Sequence, residues 1–482
     1  MHSSWIKIGS RASVLIIIYL LLSVPNTKYQ YFNEEAPGAI PFSASSDKLI
    51  TDYISIVRSY SDVEKSSQYD SLIAQLSYKL NMLKSETLDS KSLIIDAISH
   101  DFGRAAAIVS LSSDDPESLL ESLWFWRTYL KEQSIFWDIN NEDQKKRLAS
   151  SISFIGQCED FIATNRGLHY TKLTETSASF DTSSTLENIV SGDFLLSSHD
   201  ISYSYFEQAK SIPELSTSIG LVVINGDSSF YTSATPTDGL HITATSTFIN
   251  KLFAKRVLLR LRDDIPEIIA NPGIPHIAAN FAYELAIQRD INYDFSSNQL
   301  KKTSLCEIGL LQFAYEGQDI EFITSFSPTN DAFVYSLNRL GIRNNTGPAS
   351  SEILFHPSIE VIGIQLSGEN IKSRNLEMAS AIINLTTIDA KLMKSLRWKL
   401  PYYRLLKGYS HLISLMGNTP PIAKGMAPET ALIHNYINDK NEELLPILME
   451  MASQFELKNN YFPTYRMLCE MGMSKLEARE YK

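Results

Sequence analysis

The sequence predicts an α+β fold in which a small sheet stands between helical amino- and carboxy-terminal regions. Three observations carry this. Apolar residues between 47 and 164 recur at helical spacing, as in Leu49, Ile50, Tyr53, Ile54 and Val57, and again in Leu72, Leu76, Leu80 and Leu83. Between 220 and 244 the pattern changes to short β-branched runs broken by Asn225-Gly226 and Asp238-Gly239, dipeptides that favour tight hairpin turns. From about 376 onward the helical period returns.

The chain has 482 residues, with 44% hydrophobic and 10% aromatic content, enough for filled cores in roughly two to four domains. Its 43 Lys and Arg against 55 Asp and Glu give a formal charge of -12. Phosphate binding needs a clustered positive field, so no nucleic-acid partner is expected, and a protein or peptide partner is. Cys158, Cys306 and Cys469 are far apart and odd in number, which predicts buried free thiols and at most one disulfide.

Residues 1–28 differ from the rest. Lys7 and Arg11 precede the apolar run of residues 12–24, and no acidic residue occurs before Glu34. Thirteen residues at 1.5 Å rise cover about 20 Å, short of a full bilayer core and suited to a signal peptide. The weak small-residue cleavage pattern around Ser23 to Lys28 keeps an uncleaved signal anchor open. The expectation is membrane attachment through this segment, with the bulk of the chain extracytoplasmic, periplasmic or lumenal.

Residues 29–46 carry Pro37 and Pro41 and read as a linker. Residues 47–170 form the first helical region. There Asp114-Asp115-Pro116-Glu117 starts a helix leading into Leu119, Leu120, Leu123, Trp124 and Trp126, an aromatic stripe read as core. Ser99-His100-Asp101-Phe102-Gly103-Arg104 has the outline of a phospho-acceptor box, but no glycine-rich ATP-lid motif or Walker-type loop accompanies it, so a kinase is excluded. Residues 171–190 are rich in Ser and Thr and mark a boundary.

Within 191–370, strands are expected at Gly220 to Ile224, Ser228 to Ala234 and from Gly239, and a helix from about Phe248 to Leu261. That helix and its exit carry Lys251, Lys255, Arg256, Arg260 and Arg262, read as a solvated basic face. A further helix runs from His276 to Asp290, opened by Asn271-Pro272-Gly273-Ile274-Pro275. Residues 371–482 are read as helical, with breaks at Pro401 and Pro420-Pro421 and no 34-residue repeat.

The order strand, turn, strand, turn, strand, helix, followed by Phe281-Ala282-Tyr283-Glu284-Leu285-Ala286-Ile287, resembles the zinc metallopeptidase family that includes the CAAX prenyl endopeptidases and heat-shock protease X. Ser327-Pro328-Thr329-Asn330-Asp331 and the His-Pro step in Leu354-Phe355-His356-Pro357-Ser358 extend the likeness, which covers about Gly220 to Leu366. The resemblance implies a zincin-like core. It also implies that Tyr283 and Ile287 occupy the two histidine ligand positions, that the third ligand falls near Gln312, with Glu307 and Glu316 close by, and that Glu284 is the vestige of the general base. Zn²⁺ takes thiolate, imidazole or carboxylate ligands, and a lone glutamate has little to activate without it. The expectation is therefore a decayed site that holds no cofactor and binds or regulates a protein or peptide partner. Two alternatives remain: a metallohydrolase using other ligands such as His241, His276 and His356, with zinc bound, or a helical interaction scaffold of no peptidase ancestry.

Overall fold

The computed structural model describes residues 19, 46–84, 87–173, 189–198, 218–288, 290–294, 304–318, 320, 350–387, 392, 395–416, 418 and 420–480. It is an α+β arrangement: helices before and after one seven-stranded sheet.

The first helical region folds as α1 (Ser46–Val57), α2 (Asp62–Leu83), α3 (Leu93–Ser110), α4 (Glu117–Gln133) and α5 (Glu142–Arg166). Each start has a physical cause. Ser61 and Glu64 exchange hydrogen bonds in a capping box at α2, and the Asn141 side chain accepts from the Asp143 and Gln144 amides at α5. Gly167, at φ 61°, ends α5 in the left-handed conformation that glycine adopts without strain. Leu119, Leu123, Trp124 and Trp126 are buried, so the aromatic stripe is core. His100 sits on α3 with its Nδ1 2.8 Å from the Tyr53 hydroxyl.

The sheet contains β1 (His169–Leu173), β2 (Phe194–Ser197), β3 (Ser218–Asn225), β4 (Ser228–Thr235), β5 (Gly239–Ala244), β6 (Lys255–Leu261) and β9 (Ile359–Ser367), all paired antiparallel in the order β1-β9-β6-β2-β3-β4-β5. A two-residue parallel pair, β7 (Asn292–Tyr293) and β8 (Ser304–Leu305), lies by the β5 edge, where the Leu240 amide donates to the Ile291 carbonyl. Gly239, at φ 70°, is needed at that approach, because a Cβ there would lie 2.3 Å from the Ile291 oxygen. Alternation sorts the strands between two cores. Ile219, Leu221, Val223, Val257 and Leu259 face the main core shared with α1 to α5, while Leu195, Val222, Tyr231, Leu258 and Ile362 form a smaller one on the opposite face with Phe248. The first helical region and the sheet thus share one core.

Three short helices and a longer one border the sheet: α6 (Thr245–Ile249), α7 (Pro266–Ala270), α8 (Ile274–Gln288) and α9 (Glu307–Ala314). Then come α10 (Gly368–Thr386), α11 (Leu400–Leu415), α12 (Pro428–Asn459) and α13 (Tyr465–Glu480), which build two satellite cores around α10. The three cysteines are buried and form no disulfide among the described residues.

Several expectations are corrected. The helix from Phe248 to Leu261 stops at Ile249, and Lys255–Leu261 is the strand β6, because Val257, Leu258 and Leu259 bury on alternate faces. Of its five basic residues only Lys251 is exposed, whereas Lys255 is 2% and Arg256 4% exposed. The Arg256 guanidinium lies 3.9 Å over the Phe253 ring, and burial lowers its pKa to about 10. Arg260 pairs with Asp193, and Arg262 with Asp264.

Membrane attachment through residues 1–28, and with it a membrane-anchored, extracytoplasmic placement, is likewise not upheld. Among the described residues no helix is long and apolar enough to cross a membrane. Even the longest, α12, is studded with Asp, Glu and Lys. Of residues 1–28 only Tyr19 is described, and the others lie outside the described residues. So do 174–188 of the Ser/Thr-rich boundary, whose first residues instead belong to β1, and the Ser327 to Asp331 segment.

Candidate functional site

Helix α8 positions the residues that the sequence singled out. Its Ala278, Ala279, Ala282 and Leu285 are buried and seat it on the sheet, which leaves the side chains of Ile277, Phe281, Glu284 and Gln288 on an outward face at helical spacing. Helix α9 runs beside it, with Phe313 in edge-to-face contact with Phe281 at 5.3 Å between ring centroids. Between the two helices lies a cleft of about 510 Å³. Phe281, Leu285, Ile277 and Phe313 supply its apolar walls, and Glu284, Glu316, Gln288 and Gln318 supply polar groups.

The residues implied by the resemblance part company here. Glu284 lines the cleft, where its Oε1 accepts a 3.1 Å hydrogen bond from Asn280 Nδ2. Tyr283, one position before it, turns toward the sheet and packs on Phe230 of β4 with ring centroids 5.2 Å apart. Ile287 is 61% exposed and offers only hydrocarbon, and Gln312 is half-buried on α9. None of these three lines the cleft. The nearby carboxylates are divided too: Glu307 is buried and accepts a 2.9 Å bond from the Tyr293 hydroxyl, while Glu316 lies on the cleft.

The histidines considered as replacement ligands each have local company. His276 Nδ1 is 2.7 Å from Ser191 Oγ, and His241 Nδ1 is 3.2 Å from the Gly239 oxygen. His356 is buried in front of β9, where its Nδ1 accepts from the Ser358 amide and its carbonyl, with that of Leu354, receives the Lys131 ammonium from α4. Burial, reinforced by Lys131, lowers the His356 pKa to about 3. Burial first, then Arg262, holds the Lys131 ammonium well below its usual range. Among the described residues no group of three or more His, Cys, Asp or Glu is placed to hold a metal ion. A phenol turned to the sheet, an alkyl group and an amide do not fit the ligand set of Zn²⁺.

The densest buried charge is elsewhere and was not foreseen from sequence. Arg127 of α4 forks onto Glu159 of α5 at 2.7 and 2.6 Å. Lys255 of β6 reaches Asp160 at 3.0 Å and Glu159 at 3.5 Å, and Arg374 of α10 holds Asp160 at 2.9 Å. All five are at most 4% exposed. Two carboxylates and three cations thus tie the first helical region, the sheet and the last helical region together. Both carboxylates are engaged by cations of the cluster, which fits a structural role. Its one local signal is the acidic pair inside the apolar stretch Phe154-Ile155-Gly156-Gln157-Cys158-Glu159-Asp160-Phe161-Ile162.

No family model matches the chain, and no curated protein matches it.

Proposed function

We propose that the protein recognises a peptide segment of a partner in the cleft between α8 and α9, on a scaffold that resembles a zincin-like peptidase core whose metal-ligand positions are substituted. The observation that carries this reading is the cleft itself: aromatic walls from Phe281 and Phe313, carboxylates from Glu284 and Glu316, and a volume suited to one or two side chains. Three features support the ancestry. The strands β3, β4 and β5 precede α6 in the order the family shows, the helix carrying Tyr283 and Glu284 packs on that sheet, and the His356-Pro357 step leads into β9. The substituted positions argue for binding over hydrolysis, since Tyr283 and Ile287 stand where two imidazoles would be required.

The test is selection of peptides from a displayed random library on the full chain, followed by titration of the enriched peptides against variants. Phe281→Glu should weaken them by tenfold or more, while Leu457→Glu, at a residue 89% exposed on α12, should leave them unchanged. Failure to enrich any peptide, or equal binding to both variants, would reject the reading.

A further inference from the structure

Helix α11 presents a seam that the fold leaves uncovered. Leu400, Pro401, Tyr403 and Ser410 of that helix are buried, with Leu400 and Tyr403 in the satellite core it shares with α12. On the other side Trp398, Tyr402, Leu405, Tyr409, Leu412 and Met416 follow one another at alternating steps of four and three residues, each between 54% and 72% exposed. A strict four-three alternation is the narrow stripe by which one helix packs on another. Gly408 stands beside it with nothing within 4 Å of an added Cβ, leaving room for close backbone approach.

The structure shows what touches the head of this seam. Tyr19, in helical conformation, stacks on Trp398 with rings inclined by 12° and centroids 6.5 Å apart, and its hydroxyl donates to the Trp398 carbonyl. Tyr19 lies within residues 12–24, which carry no charge and are otherwise almost entirely aliphatic. As a helix those thirteen residues would span about 20 Å, and Leu400 to Leu412 of α11, directly after Trp398, spans about 18 Å.

We propose that the seam on α11 is the seat of the chain's own residues 12–24, which pack along it helix against helix from the Tyr19 contact. Two apolar surfaces of one chain, already joined at one point, remove each other from water. The Tyr19 contact names the occupant, because it is made by a residue of this chain at the head of the stripe. The proposal stands apart from the peptide cleft on α8.

Amide hydrogen exchange on the full-length protein tests it. Residues 12–24 should be protected in the wild type at any protein concentration and without lipid. In Leu405→Glu/Leu412→Glu their exchange should accelerate about tenfold while the amides of α12 keep their rates, and Leu457→Glu should change nothing. If the double variant does not fold, Tyr402→Ser/Tyr409→Ser gives the same reading with a milder change. Unprotected residues 12–24 in the wild type, or protection indifferent to the seam variants, would overturn the proposal. Protection that grows with protein concentration, assigning the seam to a second copy, or that requires vesicles of anionic phospholipid, assigning it to a lipid surface, would overturn it equally.

Discussion

The cleft on α8 and the ion cluster behind the sheet use the same residue types to opposite ends. At the cluster, Glu159 and Asp160 lie at no more than 4% exposure and are held by Arg127, Lys255 and Arg374. At the cleft, Glu284 is exposed and rests on a single amide from Asn280. A buried carboxylate has meaning only with its partners, because a lone charge out of water is too costly to keep. An exposed carboxylate beside aromatic walls loses nothing by waiting for a ligand. The contrast teaches that the concentration of charge marks where this fold is fastened, and that the poorer-looking site is the one open to chemistry.

The comparison breaks most visibly in stability. Replacing Glu159 with Gln leaves Arg127 buried without its counter-charge and Lys255 with Asp160 alone, and should cost about 3 to 5 kcal/mol, read from urea unfolding by circular dichroism. Glu284→Gln should stay within about 0.5 kcal/mol in the same assay. Equal costs at the two positions would erase the distinction.

Acid should act on the buried side of the comparison as well. His356 takes a proton only near pH 3 in the fold but near its ordinary value of 6.5 when unfolded. The unfolded chain therefore binds more protons between those values, and stability falls as the pH drops below 6.5, by roughly 1.4 kcal/mol per pH unit from this residue. His434, lowered to about 4 by burial, acts in the same direction. His356→Gln should flatten the pH dependence of the unfolding free energy between pH 4 and 6; an unchanged slope would show that the imidazole is not the group responsible.

Smaller effects belong to the cleft. Phe281→Ala should weaken a selected peptide by about 2 kcal/mol, since the ring forms a wall with Phe313. Glu284→Gln should weaken peptides carrying Lys or Arg by less than about 1 kcal/mol and leave uncharged peptides alone, as expected for an exposed, solvent-screened pair. Both are measured by fluorescence polarisation, and a Glu284 effect larger than that of Phe281 would reverse the ranking of charge and apolar contact.

What could be read in the sequence is what local chemistry determines. The hairpin at Asn225-Gly226 forms because Gly226 accepts φ 60°, and α8 forms within one residue or two of the expected span. The strand β6 escaped notice because a strand covered on both faces is a continuous apolar run, and Val257-Leu258-Leu259 between basic residues has spacing that a helix also allows. The strand β1 was hidden at the start of a Ser/Thr-rich stretch, its pairing with β9 lying almost two hundred residues away (Leu173 with Gly363). The ion cluster was illegible for the same reason: Lys255 and Arg374 meet Asp160 across 95 and 214 residues, and no local pattern reports a contact of that separation. At the site, Glu284 was found on the cleft, whereas nothing in Tyr-Glu-Leu-Ala-Ile says that Tyr283 turns to Phe230.

The central claim is that recognition at the α8 cleft runs on apolar and carboxylate contacts and needs no metal. Titration of a library-selected peptide into the full chain after exhaustive chelation tests it directly. The account predicts an affinity within twofold of that for untreated protein and a peptide recovered intact. An affinity lost on chelation and restored by zinc, or a peptide recovered cleaved, would contradict it.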